Sequence, residues 1–484
     1  MKYILAVDQS TSSTKVTLFN ERMEAVRSIR RAHRQIYPRP SWVEHDAEEI
    51  WRNTASLLAE AAEGIAPGDV AGIGLANQRE TTVVWERDTG RPVCNAVVWQ
   101  DTRAKYITDP IQPYSDRIFA LSGLRPSPYY SAAKLAAILA EEPARMEAAK
   151  AGKLCFGTVD SFLLYRLTGG RSFYTDTTNA CRTQLFDIGR MCWSEELAGY
   201  FGIPMAMLAD AVLPADSAFG TVSAIPALSG VPVTAMLGDS HASFFGHGCT
   251  EAGLVKTSFG TGSSVMMNIG SSPVWSGKGL ATSIGFSRGG KTCYVLEGNI
   301  TCSADTLIWV KDYLHLIDDL GELDEAGTVG STDGVYLVPA FAGLGAPWFN
   351  EDARAMICGM SRGTTRAHIL RAALASIAHQ NADVLDAMAA DTGIPISRVR
   401  ADGGGCSNRL LMQMQSDLIP CEIAVSSEKD ITLRGIGLMA GISAGLFAPD
   451  AFEAASRTVY SPAMSEEERK LERAGWMNAV RRCM

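Results

Sequence analysis

The chain opens with a short hairpin whose turn consists of small polar residues. Residues 1–20 read MKYILAVDQSTSSTKVTLFN, which predicts an apolar strand over Tyr3–Val7, a polar turn after Asp8 and a second strand over Val16–Phe19. Such a turn directs backbone N–H and hydroxyl groups at one place, which suits the phosphates of a nucleotide. A carboxylate at the strand end would hold the accompanying Mg²⁺ through water. An ordinary hairpin whose Asp and Ser only form the turn would show the same pattern.

A second segment, residues 254–269, repeats this order of strand, small polar turn and strand. Helices and strands alternate in both halves of the chain, which predicts an α/β fold with mixed sheets covered by helices. Two halves that each begin with a phosphate-type hairpin indicate a duplicated domain with the nucleotide between the copies. We expect the boundary near Gly246, with one domain over residues 1–246 and the other over residues 247–484.

Length, charge and cysteine content narrow the class of protein. A chain of 484 residues is too long for one ordinary core and agrees with two domains. A net charge of −9 without a basic run argues against nucleic acid and against an anionic membrane as partners. The first apolar run is too short for a signal peptide, and eleven scattered cysteines without a C-x-x-C pair fit reduced thiols. We therefore expect a cytoplasmic protein.

Several short motifs match known patterns without the context that their chemistry needs. Gly285–Thr292 (GFSRGGKT) fits the P-loop pattern, but the strand-like CYVLEG that follows predicts a hairpin turn instead of a helix. G-x-S-x-G occurs at Gly285–Gly289 and Gly441–Gly445, in a predicted turn and a predicted helix, so hydrolase chemistry is disfavoured. His241 and His247 have no third metal ligand nearby in the sequence.

The segment Val233–Gly246 supplies a second acidic residue at a strand end. It reads VTAMLGDSHASFFG, an apolar strand followed by Asp239 and a predicted helix. Two interpretations fit Asp239: it serves only as a helix cap, or it accepts a proton in phosphoryl transfer to a hydroxyl group. Such a transfer needs positioning, charge neutralisation and a proton acceptor. Asp8 would then help to hold the metal, and the two hairpins would hold the phosphates.

A third polar cluster follows the strand that ends near Asn77. The cluster begins with Arg79 and Glu80, and Trp99 and Tyr129 follow further along the chain. An Arg–Glu pair between two strands also occurs in solvated turns. Together with the indole and phenol groups, however, the mixture is typical of a site that hydrogen-bonds a polyol and packs aromatic faces on its C–H edges.

Over residues 3–481 the chain resembles the FGGY family of carbohydrate kinases. The sharpest likeness lies in six segments, Gln35–Asp46, Asn77–Trp85, Phe156–Asp160, Thr178–Arg182, Gly334–Trp348 and Met412–Asp417. The resemblance implies two ribonuclease-H-like domains around a central cleft, the architecture of actin and hexokinase. It also implies ATP and Mg²⁺ as cofactors, a small-molecule polyol as substrate, and assembly into a dimer or tetramer.

The resemblance also implies roles for individual residues. Asp239 would be the catalytic base, and Asp8 and Asp239 would lie at the metal. Substrate contacts would come from Arg79, Glu80, Trp99, Tyr129, Asp239, Ser240 and Ser264. Nucleotide contacts would come from Ser12, Ser13, Lys15, Thr261, Gly262, Gly404 and Asn408. The glycines in the run Asp402–Gly405 support a nucleotide contact without the resemblance, because glycine lets the backbone approach a nucleotide closely.

Two departures from the family pattern concern the substrate. Members that phosphorylate glycerol usually carry Gln where this chain has Ser240, and an aromatic residue where it has Ser264. Both changes remove bulk and predict a larger pocket. We expect ATP-dependent phosphorylation of a primary hydroxyl of glycerol or a close polyol. A polyol or ketose of four or five carbons is the alternative substrate, and an actin-like ATPase without a small-molecule acceptor is the alternative function.

Overall fold

The opening hairpin belongs to a six-stranded mixed sheet. The computed structural model describes residues 1–451 and 456–484 of the chain. In spatial order the first sheet contains Gly220–Thr221, Pro232–Gly238, Val70–Asn77, Tyr3–Gln9, Ser13–Asn20 and Ala25–Ala32. The hairpin strands are antiparallel, whereas Val70–Asn77 runs parallel to Tyr3–Gln9 and to Pro232–Gly238. The carboxyl ends of these three parallel strands therefore meet at one edge of the sheet.

A seven-stranded sheet in the second half repeats this order. It contains Ala281–Arg288, Lys291–Ile300, Ser263–Gly270, Leu254–Phe259, Arg398–Asp402, Ile423–Ser426 and Arg457–Tyr460. Again a hairpin, here Leu254–Phe259 with Ser263–Gly270, is extended by an antiparallel strand on one side and by two parallel strands on the other. The second hairpin thus occupies the same place in its sheet as the first hairpin does.

Helices pack on both sheets, and short strand pairs join the remaining segments. The α-helices are Ala47–Ala61, Lys105–Thr108, Ser115–Ser122, Ser131–Glu141, Pro143–Lys150, Val159–Leu167, Thr177–Ala180, Glu195–Phe201, Asp239–Gly246, Asp305–Asp312, Arg366–Thr392, Arg409–Leu418, Ile431–Ser443 and Glu466–Cys483. The short strands are Glu44–His45, Val83–Glu86, Ala96–Val97, Leu154–Gly157, Tyr174–Asp176, Phe186–Asp187, Cys192–Trp193, Ala211–Leu213, Tyr336–Val338 and Met356–Cys358. Within the described part of the chain, no helix is both long enough and apolar enough to cross a membrane.

Two helices cross at very short range where the halves of the chain meet. The helix Ile431–Ser443 comes from the second half but covers the first sheet, and it packs against Asp239–Gly246. At the crossing, a Cβ added to Gly435 would lie 1.8 Å from the carbonyl oxygen of Ala242. Only glycine allows this approach. The crossing therefore joins the helix Asp239–Gly246 to a helix that lies between the strands Ile423–Ser426 and Arg457–Tyr460 in the sequence.

The P-loop-like segment is a hairpin, as its sequence context predicts. Its residues lie at the end of the strand Ala281–Arg288, in a tight turn, and at the start of Lys291–Ile300. Backbone N–H groups of this turn do not begin a helix, so the segment lacks the phosphate cradle of a true P-loop.

Candidate active site

A cavity of about 590 Å³ lies between the two sheets, at the carboxyl ends of their parallel strands. Its lining residues are Asp8, Ser10, Asp239, Ser240, Ser243, Lys256, Ser258, Asp402, Gly403, Gly404, Cys406 and residues 426–432. The two acidic side chains singled out in the sequence thus face one cleft, although 230 residues separate them in the chain. The cleft also receives residues from the second hairpin and from the glycine run.

One carboxylate oxygen of Asp8 is left without a partner among the described residues. This atom, Oδ1, is buried and accepts no hydrogen bond from them. Burial, followed by the negative charges of Asp239 and Asp430, raises the pKa of Asp8 to about 7. A carboxylate in such a place is stabilised by a cation.

The carboxylates in this cleft fit Mg²⁺ better than a metal ion that takes all of its ligands from protein side chains. Among residues 1–451 and 456–484, no group of three His, Cys, Asp or Glu side chains is placed to hold a metal ion. Mg²⁺ usually keeps several waters and binds one or two carboxylates together with substrate phosphates. Asp8 and Asp239, which share the cleft, would supply those carboxylates.

Asp239 is the first residue of the helix Asp239–Gly246, immediately after the strand Pro232–Gly238. The backbone N–H of Ser240 donates to its Oδ1 at 2.6 Å, and Arg79 Nε lies 3.5 Å from the same oxygen. Burial raises the pKa of the Asp239 carboxyl, while the Arg79 guanidinium acts in the opposite direction. The side chain keeps 34% of its surface exposed, so the carboxylate is accessible from the cleft.

Arg79 and Glu80 belong to a buried network of four charged side chains. Arg79 Nη1 donates to both carboxylate oxygens of Glu297, at 3.1 and 3.0 Å. Arg182 Nε donates to Glu80 Oε1 at 2.6 Å, and Arg182 Nη1 lies 3.4 Å from Glu297 Oε2. Two positive and two negative side chains therefore compensate one another, which excludes the solvated-turn interpretation of the Arg–Glu pair.

Glu297 and Arg182 were not identified from the sequence as site residues. Glu297 follows the apolar run Tyr294–Leu296 inside the strand Lys291–Ile300, and a charged residue within a buried run is the available signal. Arg182 ends one of the family-like segments. Glu80 also has a positive φ of 59°, so its backbone takes a conformation that side-chain-bearing residues adopt rarely.

Trp99 and Tyr129 form an aromatic wall beside the first hairpin. Their ring centroids lie 5.7 Å apart in an edge-to-face arrangement, and the Trp99 Nε1–H donates to Thr11 Oγ1 at 2.9 Å. Burial raises the pKa of the Tyr129 phenol above its usual range, and the charge of Glu80 acts in the same direction. The phenol therefore stays a neutral hydrogen-bonding group.

Ser240 and Ser264, where the sequence departs from the family pattern, lie in different surroundings. Ser240 lines the cleft directly. Ser264 stands opposite Ser258 on one side and Asn299 on the other, and its Oγ is buried without a hydrogen-bond partner.

Residues predicted to contact phosphates lie at the two hairpin turns. Ser12 is exposed, whereas the Oγ of Ser13 accepts a hydrogen bond from Arg30 Nε at 2.8 Å. Thr261 is exposed and Gly262 partly exposed in the second turn. Lys15 Nζ forms an ion pair with Asp430 Oδ2 at 2.6 Å, which joins the first hairpin to the second half of the chain.

The glycine run after Asp402 allows the backbone to pack closely and also leaves room for a ligand in the cleft. Gly403 has a φ of 97°, and a Cβ there would lie 2.5 Å from the carbonyl oxygen of Phe259. Gly404 faces open space and lines the cleft. Asn408 instead begins the next helix, where its Oδ1 accepts the N–H of Leu411 at 2.9 Å. Asn408 therefore caps this helix in the structure. Its contact with the nucleotide stays a prediction.

Matches to family models cover both halves of the chain. Residues 3–246 match the N-terminal domain and residues 255–444 the C-terminal domain of the FGGY family of carbohydrate kinases. The chain therefore belongs to this family. The predicted family, the two-domain actin/hexokinase-like α/β fold and the class of ATP-dependent phosphotransferase are confirmed.

Proteins similar to this chain along nearly its whole length include glycerol kinases. The glycerol kinase of Paraburkholderia phytofirmans (strain DSM 17436 / LMG 22146 / PsJN) is 42% identical over 99% of this chain and 98% of its own length. The crystal structure of Plasmodium falciparum glycerol kinase with ADP superposes with a TM-score of 0.96 at 34% identity, covering 100% of this chain and 98% of the other. Gluconate kinase from Lactobacillus acidophilus shares the fold, with a TM-score of 0.89 at 20% identity over 99% of this chain and 97% of its own.

Proposed function

We propose that the chain transfers the γ-phosphoryl group of ATP to a primary hydroxyl group of glycerol or a close polyol. The observation that carries this proposal is the presence of Asp8 and Asp239 in one cleft between the two hairpins. The glycerol kinases that resemble the chain along nearly its whole length support the choice of substrate.

Asp239 is placed to accept the proton of the attacking hydroxyl. Its carboxylate is partly exposed to the cleft, and one oxygen is already fixed by the N–H of Ser240. Arg79 lies beside the same carboxylate and stabilises its ionised form. Bound near Asp8, Mg²⁺ would neutralise charge on the transferred phosphoryl group. The turns around Ser12, Ser13, Thr261 and Gly262 would hold the phosphates.

The polyol would lie against Arg79, Glu80, Trp99 and Tyr129. Glu297 fixes the Arg79 guanidinium through two hydrogen bonds from Nη1, and Arg182 fixes Glu80. These groups therefore need little reorganisation when hydroxyl groups bind, which favours phosphoryl transfer to a correctly oriented substrate.

A coupled assay of ADP release tests the proposed reaction directly. The enzyme, Mg²⁺ and ATP are mixed with each member of a panel of C3–C6 polyols and ketoses. We expect ADP release to depend on the added acceptor, with glycerol among the best. Rapid ADP release that no acceptor changes would contradict the proposal and support an actin-like ATPase.

The small side chains at Ser240 and Ser264 favour a second candidate substrate, a polyol or ketose of four or five carbons. Replacing Ser264 by Phe restores bulk and should shift the ratio of kcat/KM values toward glycerol by about 10-fold or more, since a filled pocket contributes roughly 1–3 kcal/mol. An unchanged ratio would remove the enlarged-pocket argument. A Ser287→Phe variant, on another strand of the same sheet, is not expected to change the ratio.

The expected dimer or tetramer, the cytoplasmic location and the division into residues 1–246 and 247–484 stay predictions. Light scattering during size-exclusion chromatography would measure the oligomeric state.

A further inference from the structure

Three arginines lie near one another behind the cleft, and no acidic side chain in the described part of the chain pairs with them. Arg400 comes from the strand Arg398–Asp402, Arg457 from Arg457–Tyr460, and Arg434 from the helix Ile431–Ser443. Arg400 Nη1 and Arg457 Nη2, the latter at 3.1 Å, both donate to the backbone carbonyl oxygen of His247. Two guanidinium groups therefore lie side by side on a single neutral acceptor.

Arg434 is the most buried of the three, with 6% of its surface exposed. Its Nε and Nη2 atoms are buried and form no hydrogen bond with any residue that the structure describes, and the same holds for the Nε atoms of Arg400 and Arg457. Buried N–H groups of guanidinium without a partner are costly, because the charge has lost its hydration.

No described carboxylate neutralises these charges. Burial, followed by the charge of Arg400, lowers the pKa of the Arg457 guanidinium; Arg398 and Arg434 act in the same direction and Cys249 in the opposite one. Within residues 1–451 and 456–484, no carboxylate forms an ion pair with Arg400, Arg434 or Arg457. The nearby acid Asp402 is engaged by His247 at 2.8 Å, and Arg398 is already paired with Glu422 at 2.7 Å. A positive cluster without a described acidic partner is unusual in a chain whose net charge is −9.

We propose that Arg400, Arg434 and Arg457 form a binding site for a phosphate-sized oxyanion, either inorganic phosphate or the phosphate group of a metabolite. The free N–H groups match the oxygens of such an anion, and guanidinium is the cation best suited to them. Because Arg434 lies on the helix that covers the first sheet and the others lie in the second sheet, the bound anion joins the two halves next to the Gly435 crossing.

Isothermal titration of the full chain with inorganic phosphate tests this site. Saturating Mg·ADP occupies the nucleotide cleft, and ionic strength is held constant with chloride. We expect Arg434→Leu and Arg457→Gln each to weaken phosphate binding about 10-fold to 100-fold, the loss expected for hydrogen bonds to a charged group. The control Arg398→Gln removes an arginine of the same strand that Glu422 already satisfies, and it should bind phosphate like the parent chain. Circular dichroism verifies that each variant is folded.

Repeating the titration with phenyl phosphate, an ester that is not a product of the proposed reaction, and with sulfate distinguishes the sources of the anion. Tighter binding of the ester identifies a phosphorylated metabolite, and equal binding identifies the free anion; either result supports the site if Arg434→Leu abolishes it. Absence of binding to the parent chain would overturn the proposal. So would unchanged binding in both Arg434→Leu and Arg457→Gln, or equal weakening by Arg398→Gln. Because the readout is binding, these outcomes do not depend on the proposed kinase reaction.

Discussion

Replacing Glu297 by Gln should destabilise the chain strongly, because Glu297 compensates two buried guanidinium groups. The variant keeps the shape of the side chain but removes the charge that faces Arg79 at 3.0 Å and Arg182 at 3.4 Å. Of the two charged hydrogen bonds from Arg79, a glutamine can accept at most one. Losing one partner of a buried ion pair typically costs about 3–5 kcal/mol, and we expect the free energy of unfolding to fall by about that amount.

Urea unfolding followed by circular dichroism measures this change, with Glu422→Gln as the matched control. Glu422 pairs with Arg398 on the surface, where both side chains are more than 40% exposed, so its loss should cost less than about 1 kcal/mol. The charges of Arg182 and Arg79 outweigh burial and hold the pKa of Glu297 well below its usual range. Its stabilising effect is therefore fully present above the unfolded-state pKa and is lost only in strong acid. The difference between parent and variant should stay constant from pH 6 to 9. A cost below about 1 kcal/mol would refute the buried-network interpretation.

Two further predictions concern the contacts between the halves of the chain. Replacing Gly435 by Ala places a methyl group on the carbonyl of Ala242 and should lower unfolding stability by about 1–3 kcal/mol in urea titrations. Gly199→Ala, at a helical position with open space, should be neutral or stabilising, and equal effects would refute the close crossing. Replacing Asp430 by Asn releases Lys15 and should tighten ATP binding by about 2-fold to 5-fold in equilibrium titrations, since an exposed pair is weak. Weaker ATP binding would show that Asp430 itself assists the nucleotide.

Local patterns were sufficient to predict the hairpins and the glycine run. The order of apolar strand and small polar turn defines each hairpin without long-range information, as residues 1–20 and 254–269 show. Asp8 and Asp239 were combined in the sequence through the needs of phosphoryl transfer, and the structure brings them together because the carboxyl ends of their parallel strands share one edge of a sheet.

Local sequence patterns do not predict which distant segments of the chain come into contact. The segment Val83–Glu86 pairs with Leu154–Gly157, a strand that lies far from it in the sequence. Glu297 and Arg182 become site residues through their positions in the fold. The close approach of Gly403 to Phe259 likewise depends on how the second hairpin meets the next strand.

The assignment of Asp239 as proton acceptor is tested most directly by Asp239→Asn, with turnover and ATP affinity measured on the same preparation. The amide keeps the size of the side chain and cannot accept the hydroxyl proton. We expect kcat for acceptor-dependent ADP release to fall by about 10²–10⁴ while the Kd for ATP changes little. A near-normal kcat would contradict the account, because the hydroxyl proton would then leave by a route that does not involve this carboxylate.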